Sequence, residues 1–140
     1  MVNWVLRGAV VLWALFFFIV GALGLFDPST YGETFGILVE GAAINTIRAD
    51  LSAFFLVAAG AAAVGALVPG WVRSLLVPAA LYGTALAGRL FGAASGDPVH
   101  SGIVQAMIIE ALTVLLMVGS WWVLSRPAAV PVDGTADLVH

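Results

Sequence analysis

The chain contains no cysteine. Disulfide exchange, thiolate nucleophiles and Cys-ligated metals are therefore excluded. Histidine is almost as scarce. His100 falls in a loop and His140 at the terminus, so neither lies in an apolar span and an intramembrane bis-histidine haem has no ligands. No metal and no cofactor is expected. Charge is thin as well: 9% of residues are charged, where an ordinary soluble domain has about a quarter. The net charge of −3 comes from few residues and offers no basic footprint, so nucleic acid is not expected as a partner.

What is present is apolar. Hydrophobic residues make up 62% of the 140, and the mean hydropathy is +1.10. That balance describes an integral membrane protein with one compact unit. Four runs are long enough to span, since about 20 apolar residues suffice. They are roughly Trp4 to Leu25, Ile44 to Leu67, Val72 to Phe91 and Ile103 to Leu124. Arg7 stands near the start of the first run, ahead of its uninterrupted apolar stretch, as it would in a signal peptide, but the run is long and lacks a clear small-x-small cleavage site, so it reads as a retained span. In lipid the backbone must satisfy its own hydrogen bonds, and a barrel's alternation is absent. The expected fold class is thus an all-α, four-transmembrane-helix bundle.

The connections differ in kind. Val68-Pro69-Gly70-Trp71 is a tight turn. Between the first two spans, Asp27-Pro28-Ser29 reads as a helix start with Asp27 as N-cap, giving a short interfacial helix from Pro28 to about Phe35. Gly96-Asp97-Pro98 marks a turn between spans three and four. From residue 126 to 140 the chain reads as a flexible tail.

Arg7, Arg73 and Arg126 flank the N-terminus, the tight turn and the last span. The other two connections carry Asp27, Glu33, Glu40 and Asp97 and no lysine. The positive-inside rule then places both termini in the cytoplasm. Trp4, Trp71, Trp121 and Trp122 fall at that same level, where their ordinary role is anchoring.

This orientation gathers the in-span charges at the outer end. Asn45, Arg48 and Asp50 open span two, Arg89 closes span three, and Glu110 lies about 10 Å into span four. Asn45, Arg48 and Ser52 share a face; so do Tyr82, Ala85, Leu86 and Arg89; so do Glu110, Thr113, Met117 and Ser120. Asp50 points away from Arg48, which makes Glu110 the expected partner of Arg48 on another helix. Two readings of this cluster stand side by side. One is a salt-bridge network that fixes helix register. The other is a polar ligand pocket made of Asn45, Arg48, Asp50, Ser52, Tyr82, Arg89, Asp97, Glu110 and Thr113. Ala79, Gly83 and Ala87, together with Ala58, Ala61, Ala62 and Gly65, form small-residue rows that let helices approach closely, within one bundle or between protomers. Phe16-Phe17-Phe18 reads as lipid-facing and core bulk.

Asn45-Thr46-Ile47-Arg48-Ala49-Asp50, then Gly88-Arg89, Gly96-Asp97 and Glu110, resembles the domain-of-unknown-function 4345 family of small four-span bacterial membrane proteins. The resemblance runs from about Val10 to Leu124. The pair of small residues that often follows the arginine motif stands here as Ser52-Ala53. The resemblance implies a fold and a membrane location but no activity.

Two function classes follow. The first is a non-enzymatic module: an accessory subunit packed against partner membrane subunits or copies of itself, or a binder of a lipid or other hydrophobic small molecule. The second is a small intramembrane enzyme or proton-coupled carrier with Glu110 or Asp50 as acid/base. A pore is not expected, because no polar stripe crosses the full bilayer.

Overall fold

The computed structural model describes residues 2–126; the tail expected from residue 126 onward lies outside them beyond Arg126. Four long helices form the bundle: Val2–Phe26 (α1), Ala43–Leu67 (α3), Leu76–Ala94 (α4) and Ser101–Leu124 (α5). A seven-residue helix, Ser29–Phe35 (α2), sits between the first two. A 3₁₀ turn, Val72–Leu75, leads directly into α4, so the third apolar segment runs from Val72 to Ala94. All four long segments are apolar enough to cross a membrane, and no strand occurs among the described residues. This is an all-α, multi-pass membrane protein.

The chain's punctuation follows from elementary chemistry. Pro28 has no N–H to offer and disfavours helix in the residue before it, so α1 ends ahead of it. The Asp27 carboxylate then accepts hydrogen bonds from the Ser29 N–H at 3.1 Å and the Ser29 hydroxyl at 2.6 Å. The helix begins at Ser29, one residue later than expected, while Asp27 still supplies the capping acceptor. Pro78 sits in the first turn of α4, where no backbone N–H is needed. At the end of α4, Gly96 adopts φ 93°, which lets the Asp97 N–H return to the Gly92 carbonyl at 3.0 Å. That turn lays the Asp97 carboxylate against Gly92.

Packing is strongest between α1 and α3 and between α4 and α5. The closest approaches use glycines. A side chain at Gly21 would meet Leu56 Cγ at 2.9 Å, and one at Gly65 would meet Leu75 Cγ at 2.7 Å. Gly24 gives up its space to the ring of Tyr31, which reaches back from α2. The expected row Ala79-Gly83-Ala87 is different: Gly83 has only ordinary contact distance to Val114, and Ala87 is exposed. Ala58, Ala62 and Gly65 of α3 are buried, so the tight small-residue face within the chain belongs to α3.

The core has two ends. One is aliphatic, built on Val10, Ala14, Ala66, Leu75 and Met117. Arg7 donates to the Ala66 carbonyl there, a cation at a helix C-terminus where free carbonyls gather. The other is aromatic, built on Phe17, Tyr31, Phe55 and Tyr82. Trp13 packs against both. The outward faces stay apolar: Leu12, Phe16, Leu112 and Leu115 are all more than half exposed, as helices bathed in lipid require.

Candidate functional site

The buried residues of α5 are Glu110, Thr113, Met117 and Ser120, the stripe expected to face inward. Each finds a different environment. The Trp13 indole N–H donates to Thr113 Oγ1 at 2.9 Å, tying α1 to α5 through the core. Three residues earlier, Glu110 Oε1 accepts from Arg89 Nε at 2.8 Å. This is the salt bridge found among the described residues, and it is lopsided: the Arg89 side chain is 34% exposed and that of Glu110 only 7%.

The expected Arg48–Glu110 pair is therefore corrected. Arg89, one helix nearer, takes Glu110. Arg48 donates instead to the carbonyls of Leu25 at 2.7 Å and Phe26 at 3.2 Å. Those carbonyls close α1 and have no partner within the helix, so they form a natural acceptor for a guanidinium. Ser52, one turn further along the same face, shares a 3.0 Å hydrogen bond with the Tyr31 hydroxyl and is buried with it. Arg48 and Ser52 thus fasten α1, α2 and α3 together. Asn45 and Asp50 are exposed on α3, apart from Glu110. The expected single cluster divides into a clasp around α2 and a separate Arg89–Glu110 corner.

Two groups of the clasp lie outside the long helices. The Asp27 carboxyl is held below its ordinary range, first by the Ser29 side-chain and backbone hydrogen bonds and only slightly by Arg48. Burial pushes the Tyr31 phenol upward, against the opposing effect of its bond to Ser52.

The Arg89–Glu110 corner opens onto a cavity of about 450 Å³. All four long helices contribute to it: Phe17 from α1, Phe54 and Phe55 from α3, Tyr82 and Ala85 from α4, Ala106 and Glu110 from α5. Phe35 and Ile37 close it from the α2 side, and the exposed Gln105 stands at its rim. Its walls are aromatic surfaces. Phe17 and Phe35 both stack with Phe55, at 5.7 and 5.8 Å between ring centroids. Four side-chain atoms among the described residues are buried without a hydrogen-bond partner: Glu110 Oε2 and the Tyr82 hydroxyl, which belong to lining residues but are themselves sealed from the open space, and Ser120 Oγ and Trp121 Nε1, whose residues do not line it. A second, more open depression of about 370 Å³ lies on the other side of Arg89, lined by Gly88, Gly92, Asp97 and Pro98. Arg89 borders both spaces, and Asp97 is exposed in the outer one.

Of the residues singled out in the sequence, the structure brings Tyr82, Arg89 and Glu110 together at the cavity, with Asp97 across Arg89. Thr113 lies deeper, Ser52 belongs to the clasp, and Asn45, Arg48 and Asp50 do not line the cavity. Sequence reasoning missed Trp13, Tyr31 and the phenylalanine walls. Trp13 carried a signal: it is the tryptophan placed mid-span, where an indole N–H needs an internal partner. Gln105 carried another, as an amide inside an apolar run.

Compared with known protein families, curated proteins and solved structures, the chain finds no match. Its resemblance to the four-span family named above rests on motif residues alone.

Proposed function

We propose that this protein binds a hydrophobic small molecule in the cavity between its four spans. One observation carries the reading: an open, mostly apolar space of about 450 Å³ is lined by all four long helices and has the Arg89–Glu110 ion pair at one corner. A cavity of this size, mostly apolar with a few convergent polar groups, is the usual form of a small-molecule site. The salt bridge supplies register and sets the partly exposed Arg89 side chain at the edge of the cavity. This favours the binder over an accessory subunit, for which no comparable feature speaks. In the acid/base alternative, the carboxylate in contact with the cavity is Glu110; Asp50 is exposed on α3.

The orientation belongs to the same proposal. Arg7 reaches the end of α3, beside the turn that carries Arg73, and Arg126 covers Trp122 at 3.9 Å in a cation–π contact. A cytoplasmic face at that end puts the cavity toward the outer leaflet of a bacterial inner membrane.

The test is to extract the protein gently from its native membrane and identify what leaves with it by mass spectrometry. The wild-type protein should carry an apolar molecule near one equivalent. Ala106→Phe, which fills the cavity from α5, should carry little of it while keeping its helicity. Equal retention by both proteins, or no bound molecule in the wild type, would sink the proposal.

A further inference from the structure

We infer that the cavity takes one acyl chain of a membrane lipid, admitted sideways from the bilayer between α1 and α5, with the ester end of the chain beside Arg89 and Gln105. This rests on the cavity being a ligand site and goes on to name its occupant and its entrance. The entrance follows from which sides are closed. Phe17 stacks on Phe55 between α1 and α3, and the rings of Phe54 and Tyr82 lie 5.0 Å apart between α3 and α4. The Arg89–Glu110 ion pair joins α4 to α5. The fourth side has no such bridge. α1 and α5 are fastened by the Trp13–Thr113 hydrogen bond and, further toward the aliphatic end, through Val10 and Met117. From Trp13 toward the α2 end, no hydrogen bond, ion pair or ring contact joins them among the described residues.

Phe16 and Val20 of α1, with Ala106 and Ile109 of α5, line the cavity along this seam. Phe16 and Ile109 are also exposed, so the seam opens onto the lipid-facing surface. What lies outside such a seam is hydrocarbon, and the phenylalanine walls receive a chain as readily as the bilayer does. The polar end of the chain is placed by the polar groups that keep accessible surface. Arg89 is partly exposed, Gln105 is exposed, and both line the cavity. A guanidinium only donates; its Nε is spent on Glu110, and its terminal nitrogens have no partner among the described residues. They call for an acceptor. Glu110 matches the charge of Arg89, and Asp97 stands across from it. A neutral ester carbonyl therefore fits where a phosphate would add a third negative group.

The test places the full-length protein in vesicles of phosphatidylethanolamine and phosphatidylglycerol with a trace of phosphatidylcholine carrying a diazirine in mid-chain. After illumination, adducts are mapped by mass spectrometry. Phe17 and Phe55 are buried, so adducts there report a chain inside the cavity, and adducts on the exposed Leu112 and Leu115 report the surrounding bilayer. The wild-type protein should carry both. Ile109→Trp, or Phe16→Trp from α1, narrows the seam and should lose most interior adducts while keeping the outer ones and its helicity. Ile37→Trp narrows the cavity from the α2 side and should keep the interior adducts. An ether-linked analogue without the ester carbonyl should give about fivefold fewer interior adducts, the factor for one lost hydrogen bond. Interior adducts that survive both seam variants, or that Ile37→Trp removes as fully, overturn the lateral entrance. Equal interior labelling by the ester and ether lipids overturns the placement of the ester end. Absence of interior adducts in the wild type overturns the acyl chain as occupant, and the coextraction comparison with Ala106→Phe then decides separately whether the cavity is a site at all.

Discussion

The lopsided burial of the Arg89–Glu110 pair makes its two ends unequal under mutation. Consider Arg89→Met. Glu110 is left with a 7% exposed side chain and neither oxygen paired. Stranding one partner of a buried pair costs about 3–5 kcal/mol. Because Arg89 is 34% exposed, part of its contribution is already screened, and the low end, about 3 kcal/mol, is the expectation. Now consider Glu110→Met. The stranded group is Arg89, which borders the open depression beside Asp97 and can turn its guanidinium that way. The cost should be nearer about 1 kcal/mol, the scale of a solvent-accessible pair. Replacing both at once removes the stranded charge and fills the corner with apolar atoms, which is often close to neutral. Arg89→Met/Glu110→Met should therefore be more stable than Arg89→Met alone by about 3 kcal/mol. SDS titration of the four proteins in mixed micelles, followed by circular dichroism, measures all of these differences in one series. The reasoning is refuted if Glu110→Met proves as damaging as Arg89→Met, or if the double variant gains nothing over Arg89→Met.

Other expectations follow from single contacts. Gly24→Ala places a methyl group where the Tyr31 ring lies, so Tyr31 must leave its site and its bond to Ser52; overpacking of this kind costs about 1–3 kcal/mol, and limited proteolysis should cut between residues 27 and 42 faster than in the wild type. Trp13→Phe and Thr113→Val each remove one end of a core hydrogen bond, at about 1 kcal/mol apiece. Their double variant should lose less than the sum, which thermal unfolding in detergent would show; strict additivity would count against a direct bond. The Asp27 carboxyl is held low by Ser29 in the folded chain. Its contribution to α2 is therefore present above the ordinary carboxylate range and is lost as pH falls through the depressed value. The protection factor of the Ser29 amide, the intrinsic exchange rate divided by the observed one at each pH, should fall below that point and stay flat across neutral pH, and Asp27→Asn should abolish the dependence.

The four spans were legible because the bilayer dictates both their length and their composition. So was the inward stripe of α5. Helical periodicity alone decides that Glu110, Thr113, Met117 and Ser120 share a face, and in lipid the face carrying a carboxylate must turn inward. The partner of Glu110 was not legible. Periodicity places residues on one helix but does not say which helix stands opposite. Pairing charges by sign also leaves out backbone acceptors: the free carbonyls of Leu25 and Phe26 at the end of α1 hold Arg48, and they carry no mark in the sequence.

The cavity was hidden for a different reason. It is made by what the helices fail to fill, where small residues such as Ala85 and Ala106 stand across from phenylalanines. No single residue announces such a space. Its polar corner, however, follows from stripes that could be drawn in advance. Tyr82 and Arg89 share a face of α4, and Glu110 lies on the buried face of α5. Once Arg89 takes one carboxylate oxygen, the pair has consumed less hydrogen-bonding capacity than it buries. What marks the corner is the open, aromatic-walled space beside it, since Ser120 Oγ and Trp121 Nε1 are also buried without a partner and do not line this cavity.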